Sequence, residues 1–159
     1  MVPKPTYPKE SRSDRVDFAR LTGYLGYQLR QAQTASFRDL AESFADLNLT
    51  PGEFSLLTLV EANPDIRQTD LVRIYGLDKS TLSVAVNRLI QRGLVDRRQL
   101  PEDRRFHGLS LARAGRDLLR TATTLVEDQE DRMAAALAPE DRKTVMAALG
   151  RIVATLKQD

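Results

Sequence analysis

The hydrophobic positions between residues 70 and 111 predict a short helix, a turn and then a second, longer helix. Within 79–92 the apolar residues recur every three to four positions, as on the buried face of an amphipathic helix. Asp78 suits the N-cap of this second helix, because its carboxylate can accept from the free amides of the first turn, and Gly93 suits its end. The predicted buried positions are Leu82, Ala85, Val86, Leu89 and Ile90.

Two β-like runs follow the second helix, at 94–98 and 106–111, on either side of a polar turn that contains Pro101. Ile66 is expected to pair with this hairpin as a short strand of its own. A helix, a tight turn, a second helix and a two-stranded ribbon form a winged helix-turn-helix, which is a module that binds duplex DNA. The pattern therefore predicts such a module over 64–112.

The face of the second helix opposite its apolar stripe carries small hydroxyl groups, an amide and one arginine, but no carboxylate. Small polar side chains let a helix lie deep in a major groove, and Asn and Arg can make bidentate contacts with adenine and guanine edges. A solvated surface helix without acidic residues is the alternative, and this helix alone does not separate the two interpretations. The candidate DNA-binding residues of the helix are Lys79, Ser80, Thr81, Ser83, Val84, Asn87 and Arg88.

The turn of the predicted wing carries Asp103, Arg104 and Arg105. Two guanidinium groups at the tip of a hairpin could reach the adjacent minor groove, whose negative potential attracts Arg where the groove is narrow. A solvated basic turn is the alternative, but its position behind a recognition-type helix favours the wing. Arg97, on the first arm of the wing, completes the set of candidate DNA-binding residues.

The run TLSVAVNRLIQRGLVDRRQLPEDRRFHGLSLARAG resembles the core of the MarR family of transcriptional regulators, including the Asp-x-Arg at Asp103 and Arg105. The resemblance implies a homodimeric, mainly helical protein with one winged module per subunit, usually a repressor that a small molecule releases from DNA. It also implies that Arg105 enters the minor groove and that Asp103 orients the arginines of the wing. The family usually has Thr at the start of the helix after the wing, where this chain has Ala112, so Ser110 or a backbone shift must cap that helix.

The rest of the hydrophobic pattern predicts a helical dimerisation scaffold, and the whole chain, 1–159, is expected to form a single domain that is mainly α with a small β wing. One long helix is predicted over 13–45. Another begins at Thr50, with Pro51 at its first position and Glu53 completing a capping box. Two more are predicted over 115–158, and their apolar faces suit a dimer interface, with packing inside one subunit as the alternative.

The charge of the chain is concentrated in the predicted DNA module. The net charge is only +2, but residues 67–113 hold ten basic and five acidic residues. A basic module on a slightly acidic scaffold is the expected footprint of a DNA-binding protein. A non-specific architectural DNA-binding protein without an effector fits the same footprint, and gel shifts with competitor DNA would separate it from a sequence-specific regulator.

The composition argues against an enzyme. The chain has no cysteine, which excludes disulfides, thiolate catalysis and zinc-cysteine sites, and its one histidine, His107, lies on a predicted wing strand. No glycine-rich phosphate loop and no nucleophile beside a base is present, so no metal and no cofactor is expected. The N-terminal stretch contains three prolines and no apolar run, which predicts neither a signal peptide nor a membrane anchor, and a cytoplasmic location is expected.

The predicted first helix carries all the candidate effector-binding residues except Arg73, which is a candidate for the phosphates of a thioester. Phenol and amide groups beside Leu and Phe suit an aromatic ligand, and arginines suit an anion. The runs GYLGYQLRQAQ and LTPGEFSLLTLVEANP are similar to a branch of the MarR family that controls the breakdown of plant hydroxycinnamates. This resemblance implies an aromatic acid or, as in that branch, its coenzyme A thioester as the effector; the alternative is that the arginines only solvate a helix. The candidates are Tyr24, Tyr27, Gln28, Arg30, Gln31, Arg38 and Arg73.

Overall fold

The fold is mainly helical with one small antiparallel sheet, as the sequence predicts. A computed structural model describes residues 16–75, 78–99 and 107–156. The helices are α1 (Leu25–Ser43), α2 (Pro51–Ala62), α3 (Gln68–Tyr75), α4 (Lys79–Gln91), α5 (Arg113–Ala135) and α6 (Pro139–Leu156), and the strands are β1 (Ile66–Arg67), β2 (Val95–Gln99) and β3 (His107–Leu111). The chain divides into two compact units, with the boundary after Ser36. A single domain over the whole chain stays a prediction.

The first long helix begins later than predicted. Before α1 the chain forms only a short 3-10 turn, Leu21–Gly23. Tyr24 has an extended backbone, with φ −88° and ψ 130°, and Ala19 has a left-handed φ of 49°. The carboxylate of Asp17 accepts from the backbone N–H of Ala19 at 2.8 Å, and such local bonds compete with helical pairing. The prediction of a helix is therefore wrong over residues 16–24, while residues 13–15 lie outside the described part of the chain.

Helix α2 begins as predicted, with a complete capping box. The backbone N–H of Thr50 donates to Glu53 Oε2 at 2.9 Å, and the N–H of Glu53 donates to Thr50 Oγ1 at 3.2 Å. Pro51 occupies the first helical position, where its missing N–H has no consequence. These reciprocal bonds satisfy two of the amides that every helix leaves free at its beginning.

The hydrophobic core lies in the second unit and includes the predicted stripe of α4. Leu82, Val86 and Leu89 are each at most 2% exposed, and Ala85 and Ile90 pack against them. Other fully buried side chains of the same core are Phe44, Leu56, Leu57, Leu71 and Leu109. Burial of one face of α4 leaves its opposite face available to a partner.

The sheet has the strand order β1-β3-β2, and both pairings are antiparallel. Ile66 pairs with Leu109 and Val95 pairs with Leu111, which confirms the predicted wing and its short additional strand. Residues 100–106 and 76–77 lie outside the described residues. The sequence-based roles of Asp103, Arg104 and Arg105 at the wing tip therefore stay predictions.

Helix α5 begins without a side-chain cap. Its N-cap residue is Ala112, and the hydroxyl of Ser110 donates instead to the carboxylate of Asp65 at 3.0 Å. Of the two predicted alternatives, a Ser110 cap or a backbone shift, the Ser110 cap is therefore wrong. The backbone N–H of Ala112 donates to the carbonyl oxygen of Leu94 at 3.0 Å. A Cβ on Gly115 would lie 2.0 Å from the same oxygen, so only glycine fits at this position.

Helix α6 presents apolar side chains to solvent. It begins at Pro139 with Glu140 and Asp141 in its first turn, as predicted, where acidic groups face the positive end of the helix dipole. No residue of α6 is fully buried. Its most exposed large hydrophobic residues are Met146 at 64%, Val153 at 50% and Leu156 at 78%. A helix with such a face is suited to burial against a partner, and none of the described helices has the length and hydropathy of a membrane span.

Candidate nucleic-acid interface

The N-terminus of α4 is held by Asp78. The Asp78 carboxylate accepts from the hydroxyl of Ser80, from the hydroxyl of Thr81 at 2.6 Å and from the backbone N–H of Thr81 at 2.8 Å. These bonds, that from Ser80 foremost, hold the pKa of Asp78 well below its ordinary value of 3.8. The hydroxyl groups of Ser80 and Thr81 therefore donate to Asp78, and only their oxygen lone pairs remain to accept hydrogen bonds from DNA.

The exposed face of α4 combines a cation, an apolar group and an amide. Lys79 and Asn87 are exposed, and Ser83 is half-buried beside them. Val84 is 70% exposed and gives this face an apolar group. In a major groove such a side chain can pack on the methyl group of thymine, while a lysine at the helix start suits a phosphate.

Arg88 turns away from this face and binds the scaffold. Its Nη1 lies 3.0 Å from Oε1 of Glu53, and its Nη2 donates to Asn48 Oδ1 at 2.9 Å. Arg92, one turn later, donates to the backbone carbonyls of Asn48 at 2.6 Å and Leu47 at 3.0 Å. Glu53 is only 3% exposed, and a buried carboxylate needs such a partner. A DNA contact by Arg88 stays a prediction, and these contacts favour a structural role.

Arg97 links β2 with α3 and α4 beside the exposed face of α4. Its Nη2 donates to Gln68 Oε1 on α3 at 3.1 Å and to Asn87 Oδ1 on α4 at 3.3 Å. Gln68 in turn donates from Nε2 to Ser83 Oγ at 2.7 Å. Two of the predicted DNA-binding residues of α4 are thus connected to a third on β2. Gln68 was not a sequence candidate, and nothing in its local pattern distinguishes it.

The neighbouring Arg98 serves the opposite side of the sheet. Its Nε and Nη2 donate to the two carboxylate oxygens of Asp65 at 2.8 and 3.2 Å. The hydrogen bond from Arg98, and then that from Ser110, lowers the pKa of Asp65, and Asp65 raises the pKa of Arg98. Successive residues of a strand point to opposite faces. This alternation is the signal from which the different roles of Arg97 and Arg98 could have been predicted.

The candidate effector-binding residues fall into two groups. In the first compact unit the guanidinium carbon of Arg30 lies 5.6 Å from the centroid of the Tyr27 ring. The centroids of the Phe18 and Tyr27 rings are 6.2 Å apart. The Gln28 amide donates to the carbonyl of Thr22 at 2.6 Å, while Tyr24 and Gln31 are exposed. In the second unit Arg38 is exposed, and Arg73 pairs with Asp70 at 3.0 Å. One site that contains all seven residues stays a prediction.

Comparison with known proteins places this module in a family of regulators. A profile of the MarR family matches residues 49–107, from the start of α2 to the beginning of β3. A protein of Thauera aromatica assigned to transcriptional regulation of the hcr operon is 30% identical over 147 residues, which cover 91% of this chain and 89% of that protein. This similarity extends well beyond the winged module.

Solved structures of the transcriptional repressor CouR are similar to almost the whole described chain. The structure bound to a 23-mer DNA duplex superposes with a TM-score of 0.81 at 34% identity, covering 87% of this chain and 99% of that one. The structure bound to p-coumaroyl-CoA superposes with a TM-score of 0.80 at 32% identity, covering 87% of this chain and 98% of that one.

Proposed function

The chain belongs to the MarR family of ligand-responsive, DNA-binding transcriptional regulators, and from that premise we propose that it is a repressor which a hydroxycinnamoyl-coenzyme A thioester releases from its operator. The observation that carries the proposal is the similarity to CouR, a repressor whose structures contain a DNA duplex in one case and p-coumaroyl-CoA in the other. The similarity covers 87% of this chain, so it includes both the winged module and the long helices around it.

We place the DNA contacts on the exposed face of α4 and on the wing. Lys79 would bind a phosphate, Val84 would pack on a thymine methyl, and Ser83 and Asn87 would contact base edges. Arg97 supports these residues from β2. The arginines of the wing turn, Arg104 and Arg105, would enter the minor groove, a role that rests on the sequence alone.

The operator is expected to be a pseudo-palindrome read by a homodimer. The apolar face of α6 provides an interface of the right chemistry, because its exposed Met146, Val153 and Leu156 would leave water on association. Two modules related by a dyad read half-sites about 10 base pairs apart. A cytoplasmic regulator of this kind would control genes for the breakdown of aromatic compounds.

The effector proposal also has support in α1 and the turn before it. Tyr27 lies between the aromatic ring of Phe18 and the guanidinium of Arg30, so an aromatic surface and a cation occur side by side. A hydroxycinnamoyl group offers an aromatic ring, and coenzyme A offers phosphates. Both complement this pair, since Arg binds phosphate through strong charge-assisted hydrogen bonds.

The decisive experiment follows release of the protein from a defined operator. The operator is first selected from random duplexes with the full chain, and binding is then followed by fluorescence anisotropy. p-Coumaroyl-CoA and feruloyl-CoA are expected to release the protein at micromolar concentrations, whereas free p-coumarate, free ferulate and coenzyme A alone are not. Equal release by the free acids would mean that the effector is a free phenolic acid and not the thioester. Failure to select any sequence would instead favour an architectural DNA-binding protein.

A pair of variants locates the effector contacts. Arg30→Gln removes the cation beside Tyr27 and is expected to weaken release by the thioester without changing operator affinity. Arg120→Gln, which removes an exposed arginine that pairs with Asp117 at 2.8 Å, is the matched control and should behave as the wild type. Equal effects of both variants would contradict a site beside Tyr27.

A further inference from the structure

We infer that Arg97 and Gln68 set the direction of the hydrogen bonds on the recognition surface, so that Ser83 and Asn87 present donors, and not acceptors, to the bases. This inference rests on the proposed DNA-reading role of α4. It adds to that role a residue outside the helix, Gln68, and a rule for which base edges the helix prefers.

The first step is the orientation of two side-chain amides around Arg97. A guanidinium group donates and cannot accept. The oxygen of each amide, and not its nitrogen, must therefore face Arg97, as in the contacts to Gln68 Oε1 at 3.1 Å and Asn87 Oδ1 at 3.3 Å. Amides beside neutral partners can be flipped without penalty, whereas a flip here would oppose an amide NH₂ to a cation. The charge of Arg97 thus fixes which end of Asn87 is free.

The second step is the hydrogen bond from Gln68 to Ser83, which fixes the Ser83 oxygen as an acceptor. With its oxygen held by Arg97, Gln68 turns its Nε2 to Ser83 Oγ at 2.7 Å. The Ser83 oxygen accepts this bond, so the proton of its hydroxyl group is left to point elsewhere. Ser83 is only half-buried, and it lines a hollow of about 430 Å³ together with Lys79 and Val72, so a group of the DNA can reach it.

The third step is the surface that results. Among residues 16–75, 78–99 and 107–156, no group accepts from Asn87 Nδ2 or from the hydroxyl of Ser83. The two residues lie four positions apart and share one face of α4. With Lys79 at the start of the helix, this face offers hydrogen-bond donors from an ammonium, a hydroxyl and an amide.

A donor surface selects particular base edges. In the major groove guanine presents two acceptors, N7 and O6, thymine presents O4, and adenine presents the acceptor N7 beside its N6 donor, whereas cytosine presents only the N4 donor. The bidentate contact of an asparagine with adenine needs its oxygen as an acceptor, and in this structure that oxygen faces Arg97. Guanine and thymine are therefore the bases expected opposite Ser83 and Asn87, adenine can be contacted only through N7, and cytosine is the base that this surface excludes.

Gln68→Glu tests the direction directly, because it keeps the shape and reverses one bond. A carboxylate still accepts from Arg97, but its second oxygen would face Ser83 with a lone pair in place of an N–H. The Ser83 hydroxyl must then donate inward and present its own lone pairs to the DNA. Selection from random duplexes with the full-length variant should replace the wild-type base by cytosine, whose N4 donates, at the position that Ser83 reads. The change in relative affinity should be on the order of 5-fold, as for a single neutral hydrogen bond.

Two controls separate this effect from simple charge repulsion. Gln91→Glu puts the same negative charge on an exposed position of α4, away from the hydrogen-bonded chain, and should weaken all duplexes alike. In a Ser83→Ala background, Gln68→Glu should no longer alter base preference, because the hydroxyl that it redirects is absent. Gln68→Met neither donates nor accepts, so it should nearly abolish base discrimination at the position that Ser83 reads. Thermal melting of each variant verifies that it folds.

The outcomes distinguish this inference from the function on which it rests. A wild type that selects no sequence would overturn both. A wild type that selects a defined operator, with Gln68→Glu weakening every base alike as Gln91→Glu does, would overturn only the inference. A wild-type operator with cytosine opposite both Ser83 and Asn87 would overturn it as well. The expected result is that Gln68→Glu changes the preferred base, that Gln91→Glu does not, and that the change disappears when Ser83→Ala is also present.

Discussion

Two faces of helix α4 use their polar side chains differently. Lys79, Ser83 and Asn87, spaced four residues apart, lie on the face toward the proposed DNA surface, and the bonds of Ser83 and Asn87 to other elements leave donors available. Arg88 and the C-cap residue Arg92 instead donate to Asn48, in the connection between α1 and α2. One face is therefore suited to reading DNA, and the other anchors the helix to the scaffold.

This contrast shows that residue type alone does not identify a base-reading residue. By type, Arg88 is the strongest base reader of α4, because arginine makes the commonest specific contact with guanine. Its guanidinium is instead paired with the carboxylate of Glu53. Because Glu53 is buried, it would have no counter-charge without Arg88, and an unpaired buried charge is destabilising. The requirement of a buried acid on another helix decides what the arginine does.

The largest expected effect comes from removing Glu53, the buried partner of Arg88. Glu53→Ala removes the acceptor of the Thr50 amide and the partner of Arg88, so the free energy of unfolding should fall by about 2–4 kcal/mol. Chemical denaturation measures this change. Glu61→Ala, an exposed position of the same helix, should change it by less than about 0.5 kcal/mol. A loss at Glu53 no larger than that at Glu61 would contradict the anchoring role.

The second test compares the two faces of α4 directly, with Asn87→Ala and Arg88→Ala. Asn87→Ala should lower operator affinity by about 1–2 kcal/mol and relax discrimination at particular base pairs, with stability unchanged. Arg88→Ala should lower the free energy of unfolding by about 1–3 kcal/mol, because it leaves the buried Glu53 carboxylate without its cation. Denaturation and anisotropy on the same preparations give both values. Lost base discrimination by Arg88→Ala at full stability would reverse the assignment.

A smaller effect is expected from acid at the beginning of α4. The folded state lowers the pKa of Asp78 from 3.8 through its bonds with Ser80 and Thr81, so the carboxylate stabilises the fold when ionised. This contribution is complete above pH 3.8 and is lost as the pH falls toward the lower pKa of the folded state. Asp78→Asn keeps a capping oxygen but does not titrate. Its stability should therefore fall less steeply below pH 3.8 than that of the wild type, and parallel curves would contradict the role of the ionised cap.

The smallest effect is expected at Arg73, an arginine of the same module that lies on α3. Its side chain is 81% exposed and pairs with Asp70 three residues earlier. Exposed pairs of this kind contribute about 0–1 kcal/mol, so Arg73→Ala should leave the unfolding curve almost unchanged. The same variant tests an effector contact, since weaker release by the thioester at unchanged stability would place Arg73 near the coenzyme A group.

The features that the sequence predicts best are those decided by near neighbours. The beginning of α2 follows from Thr50 and Glu53, which lie three residues apart and satisfy each other. The predicted cap of α5 by Ser110 was wrong because the Ser110 hydroxyl donates to Asp65, which lies 45 positions away in the chain. The direction of Arg88 depends in the same way on Glu53. Hydrophobic periodicity predicts which face of a helix is buried, but it does not say which polar groups other elements will claim.

Between α5 and the wing, backbone meets backbone, and this has a mechanical consequence. Side chains between two elements act as a soft layer, because they can change rotamer when one element moves. At Gly115 this layer is missing, and the carbonyl of Leu94 is also held by the N–H of Ala112 at 3.0 Å. A displacement of the beginning of α5 is therefore transmitted to the residue before β2 as through a rigid coupling, so α5 and the base of the wing change position together.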